Sequence, residues 1–95
     1  MVSIGHPSKT AQAARQLVLH RAAAQSYANE LGQPDAFKDI TTARLERARS
    51  HIAENEAILA AATAAELREA LGRFVGDPDT RAGDAIRAEL AGREG

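Results

Sequence analysis

Between Leu45 and Ala62 the chain alternates large and small residues at intervals of three and four. Leu45, Ile52 and Leu59 stand seven apart, with Ala48, Asn55 and Ala62 between them. This is the spacing of a coiled-coil seam, in which alanine opposite a large side chain lets two helices approach closely. Upstream, Ala14, Leu17, Ala24, Ala28 and Leu31 offer a matching apolar stripe. The pattern predicts a first helix from Ser8, a capping residue, to Leu31, closed by Gly32 in the left-handed conformation. A second helix is predicted from Pro34, a good first-turn residue, with Asp35 set against the helix dipole, to Ala62. Thr41 and Thr42 leave its continuity through Asp39–Thr42 open. A two-residue connection makes the pair antiparallel.

Two shorter helices follow. Thr63 and Glu66 have capping-box spacing, and the helix they open presents Leu67, Ala70, Leu71, Phe74 and Val75 before Gly76 ends it. Asp77-Pro78 then pairs a cap residue with a first-turn proline, opening a helix that turns Ala82, Ala85, Ile86 and Leu90 inward. No alternating strand pattern, repeat or long linker interrupts these segments. The expectation is an all-α single domain over 1–95. It is a small bundle built on a long antiparallel hairpin (8–31 and 34–62) with short helices at 64–75 and 78–91, and frayed ends at 1–7 and 92–95.

Composition makes that core thin. Hydrophobic residues are 44% of the 95, but 22 are alanine and only 16 are Val, Ile or Leu. With no cysteine to form disulfides and no evident metal cluster, self-association is the remaining source of stability. Net charge is −1, so the whole molecule has no field that gathers phosphates or anionic lipid. Its halves differ: residues 1–53 carry seven cations against four anions, and 54–95 carry five against nine. The basic first segment superficially has the composition of a targeting peptide. His20 and Arg21, however, interrupt its only apolar run, Leu17-Val18-Leu19. No run has the length of a membrane span, and a cytoplasmic location is expected. Ten arginines to two lysines suggest GC-rich coding, hence a bacterial or phage source.

Chemistry is hard to find. His51 and Glu54 share a helix face, but their order is the reverse of a di-iron Glu-x-x-His pair and has no duplicate, so they read as a surface pair. Ser50 and His51 point about 100° apart and form no dyad. No phosphate-binding glycine pattern occurs. The last two helices loosely suit a helix-turn-helix, yet Asp77, Asp79, Asp84 and Glu89 would repel DNA. No catalytic, cofactor or metal residue is assigned, and the chain is read as a non-enzyme.

The residues that stand out concern pairing. Arg44, Arg47 and His51 form a stripe beside the seam, either a solvated face or a charge pattern that selects carboxylates of a partner such as Glu66, Glu69 or those near Asp77. Asn55 at a seam position either sets register or faces water. His20 and Tyr27, seven apart, share a stripe that is either hairpin packing or an interface anchor. The reading is a non-enzymatic helical protein–protein interaction module, a homo-oligomer or a small subunit of a larger assembly. One alternative is a nucleic-acid-associated regulator using Lys38 to His51. Another is an accessory subunit of an enzyme or metal protein whose site forms between chains.

Overall fold

The computed structural model describes residues 8–34 and 37–94, and among these it contains four α-helices and no strand. They are α1 (Lys9–Leu31), α2 (Lys38–Ala61), α3 (Ala64–Gly72) and α4 (Arg81–Glu94). The all-α hairpin expected from the seam is present, with α1 and α2 as the dominant packed pair. The seam residues face inward: Leu45, Ala48, Leu59 and Ala62 are buried, and Ile52 and Asn55 half-buried. Thr41 extends the same spacing one step further and is buried, so α2 runs unbroken through Asp39–Thr42. On α1, Ala14 and Leu17 are buried and Ala24 and Leu31 half-buried. Ala28 is exposed, a correction to the predicted stripe: it repeats the seam position of Ala14 and Arg21, and that position is buried only at Ala14, where the short helices join the apolar cluster.

Helix ends show where local hydrogen bonding overrode the simpler reading. Ser8 caps α1 as expected, its Oγ accepting from the Ala11 amide at 3.1 Å. Gly32, however, has φ −78°, not the left-handed conformation. The Gly32 and Gln33 amides donate to the Asn29 and Glu30 carbonyls, which tightens the last turn without a reversal. Pro34 therefore follows α1 as a stop signal and does not open α2, which starts four residues later at Lys38 with Phe37 at its cap position. The Asp35 expectation lies outside the described residues, as does fraying of 1–7.

The Thr63/Glu66 capping box of α3 is complete. It holds the Glu66 carboxyl below its usual range, because the Thr63 amide and hydroxyl both bond to it or its turn. α3 ends at Gly72, earlier than predicted, and a run of tight turns carries the chain to Gly76, which has φ 85°. Val75 consequently falls in the turn and is 82% exposed, so it does not join the apolar face. α4 also starts three residues late. The Asp77 carboxylate accepts from the Asp79 amide and the Asp79 carboxylate from the Arg81 amide, so two successive side-chain turns precede the helix.

The remaining correction is at the C-terminus. α4 continues to Glu94, because Arg93 reaches across to the end of α2. Its guanidinium donates to the carbonyls of Leu59 (2.9 Å), Ala60 (2.7 Å) and Ala62, and its Nε lies 3.4 Å from Glu89. The last carbonyls of a helix have no partner within it and sit at the negative end of its dipole, so a guanidinium there satisfies both demands.

The two ends of the molecule differ. Ala13, Ala14 and Leu17 of α1, Leu59 and Ala62 at the end of α2, Leu67, Ala70 and Phe74, and Ala82, Ile86 and Leu90 of α4 form one apolar cluster. We call this four-helix end the base. From about His20 to His51 only α1 and α2 continue, as an arm. Leu45 and Ala48 are buried there but stand apart from the cluster. The extents of 52 × 37 × 25 Å and radius of gyration of 15.8 Å reflect this protrusion, since a compact chain of this length has about 12 Å.

Candidate interaction surface

The flanks of the hairpin are chemically distinct. His20 and Arg21 diverge by about 100° on α1, and His51 and Glu56 by about 140° on α2. On one flank Arg21 bonds Glu56 at 3.2 Å, next to a cleft bordered by Ala85, Ala88 and Glu89 of α4. On the other, the His20 and His51 rings stack with centroids 4.5 Å apart and planes 20° from parallel. α4 thus lies along the Arg21–Glu56 flank.

On α2, the histidine flank continues to the arm tip as Phe37, Ile40, Arg44, Arg47 and His51, spaced three, four, three and four. Phe37 is 75% exposed and Ile40 54% exposed. Arg44 and Arg47 are exposed, and neither enters an ion pair among the described residues. His51 is half-buried, with Nδ1 3.8 Å from the Glu54 carboxylate. The surface-pair reading of His51 and Glu54 therefore describes their geometry. Two large apolar side chains left in water next to two uncompensated guanidinium groups make this the most unusual face of the molecule.

The other candidates are placed as follows. Asn55 turns its amide onto its own helix, donating to the His51 carbonyl at 2.8 Å, which supplies that group with a partner without a second chain. Tyr27 is half-buried, one heptad from His20 on the side of α1 that meets α2. The carboxylates considered as partners for the arginines are engaged locally. Glu66 is in its capping box, Glu69 pairs with Arg73 at 2.7 Å, and Asp77 and Asp79 bind turn amides. The Asp79 carboxyl is held at about 2, below its usual 3.8, chiefly by the side-chain hydrogen bond from Arg81 and then by the Arg81 amide.

Sequence reasoning missed the His20–His51 contact and the exposed Phe37 and Ile40. The second was available: extending the Arg44–Arg47–His51 stripe two steps back meets Ile40 and Phe37 at unchanged spacing.

At the base, Arg15 lies 5.4 Å over the Phe74 ring and covers its outer face. Among the described residues no group of three or more His, Cys, Asp or Glu side chains converges as metal ligands would, and no helix is long and apolar enough to cross a membrane. No protein family, curated protein or solved structure matches this chain.

Proposed function

We propose that the chain is a helical protein–protein interaction module whose arm is its contact surface, serving in a homo-oligomer or as a small subunit of a larger assembly. The observation that carries this is the stripe Phe37, Ile40, Arg44 and Arg47 on an arm held away from the base. An exposed aromatic and a β-branched residue beside unpaired arginines have the chemistry of interface anchors, enriched in aromatic residues and Arg. The partner this fits is a protein surface with an apolar pocket and nearby carboxylates.

The nucleic-acid alternative uses Lys38, Arg44, Arg47 and Arg49. Helical geometry sets Lys38 and Arg49 on one flank of the seam and Arg44 and Arg47 on the other, so the cations do not form one phosphate-tracking face. That division favours the protein partner.

Light scattering and crosslinking of the full chain, alone and with proteins captured from its source, test the reading. The expected result is an oligomer or a defined complex that Phe37→Asp and Arg47→Asp each weaken at least tenfold while helical circular dichroism is retained. A monomer whose complexes are all indifferent to both substitutions overturns it. Binding to duplex or single strands that weakens steeply with salt replaces it with the nucleic-acid reading.

A further inference from the structure

We propose that the partner of the arm is a second copy of this chain, the histidine flanks of two α2 helices packing antiparallel about a two-fold axis at the level of Arg49. The inference rests on the reading of the stripe as a contact surface and names its occupant. It starts from the other end of the same stripe. Beyond His51 the spacing of three and four continues through Glu54, Ile58 and Ala61, so the stripe runs the whole length of α2. Its order along the helix is two apolar residues, two arginines, His51, a carboxylate and two apolar residues again.

Reversed end for end, that order is complementary to itself. Two antiparallel helices of this spacing set each stripe residue opposite the one equally far from the axis on the other copy. Phe37 then meets Ala61 of the partner subunit, Ile40 meets the partner's Ile58, and Arg44 meets the partner's Glu54. Arg47 falls opposite the partner's His51, one turn from the same carboxylate. The surroundings suit these contacts. Ile58 and Ala61 border a groove of about 350 Å³ lined also by Thr10 and Ala57, and an apolar cavity of about 150 Å³ already admits a benzene ring. The Glu54 side chain is 68% exposed and stands 3.8 Å from His51, beyond hydrogen-bond distance, so it can accept from a guanidinium. The tip of each arm, which has no third helix of its own, lies along the base end of the other α2. Such a contact uses the same patch on both copies, so it closes at a dimer.

Sedimentation of the full chain over a wide dilution series tests this. The expected result is a dimer that Arg44→Glu and Glu54→Arg each weaken about tenfold or more, with helical circular dichroism retained, because each sets like charges together twice. An equimolar mixture of the two variants should dimerise as the wild type does, since every opposed pair is again of opposite sign. Arg44 and Glu54 are ten residues apart, about 15 Å along one helix, so only a contact between chains produces that recovery. Phe37→Asp should weaken the dimer as the single reversals do. A monomeric wild-type chain, a dimer indifferent to either reversal, or variants that do not recover on mixing overturns the pairing. If a monomer binds a different protein in a way that Phe37→Asp weakens, the pairing fails and the interaction-module reading stands. If nothing it binds responds to Phe37→Asp, both fail.

Discussion

The base and the arm are built from the same two long helices yet are held by different means. In the base, α1 and α2 are flanked by α3 and α4, and eleven buried apolar residues form one cluster. In the arm the same helices bury only Thr41, Leu45 and Ala48, and the rest of the seam is half-covered. Heptad spacing is continuous across both, so it brings the helices together without determining how firmly they are held. Firmness follows the amount of apolar surface removed from water, which the two short helices supply at one end only.

Substitution of matched leucines is the most severe test of that contrast. Leu67 and Leu45 are both buried, and Leu67→Ala should cost about 3 kcal/mol or more and lower the Tm of the whole chain. Leu45→Ala should instead open the arm alone. Hydrogen exchange should quicken across residues 20–51 while amides of α3 and α4 keep their protection. Equal global losses from the two would show that arm and base are one cooperative unit.

Arg93 comes next. Arg93→Ala removes the donors at the end of α2 and should cost about 1–2 kcal/mol, seen as a lower denaturant midpoint. Arg93→Lys, which cannot bridge several carbonyls with a planar fork, should recover less than half of it. A loss of a few tenths would mean that water serves those carbonyls equally well.

In the opposite direction, Gly83→Ala should stabilise the base by about 0.5–1 kcal/mol. A Cβ there would meet Leu71 Cδ1 at 3.6 Å and Phe74 Cβ at 3.9 Å, ordinary contact distances, and alanine is the better helix former. Because its neighbours are Leu71 of α3, Phe74 in the turn after it and Arg87 of its own helix, arm exchange should not change.

The smallest effect is acid-dependent. The folded Asp79 carboxyl titrates near 2, below its ordinary 3.8, so its contribution is present above pH 3.8 and is lost as the pH falls from there toward 2. Asp79→Asn should flatten that part of the stability–pH curve and leave the curve at pH 7 parallel to the wild type. An unchanged acid limb would assign the loss to other carboxylates.

Most of the fold was legible because it rests on periodicity and caps: the seam, Ser8, and the Thr63/Glu66 box all stand where the sequence places them. What was not legible involved competition between nearby signals or distance along the chain. Pro34 suits both the start of one helix and the stop after another, and the i→i+3 bonds at Gly32 and Gln33 decided for the stop. Asp77 and Asp79 each offer a cap, and using both in turn delayed α4. Arg93 looked like part of a frayed end because its partners are 31 to 34 residues away. The histidine stack was hidden for the same reason: periodicity shows which face a residue occupies, and only the register between two helices shows what it meets. The Phe37–Ile40 extension required no more than continuing a stripe already noticed.

The Arg93 crossing also has a consequence for the order in which the molecule assembles. Hairpin pairing near the tip closes a loop of only a few residues and is fast, whereas the base needs α1 to meet α4 and the end of α2 to receive a side chain 31 or more residues downstream. The weaker end should therefore form first and the stronger end last. On a ribosome, the arm would emerge and pair first, and the carbonyls of Leu59, Ala60 and Ala62 would gain their donor only once Arg93 had also left the exit tunnel.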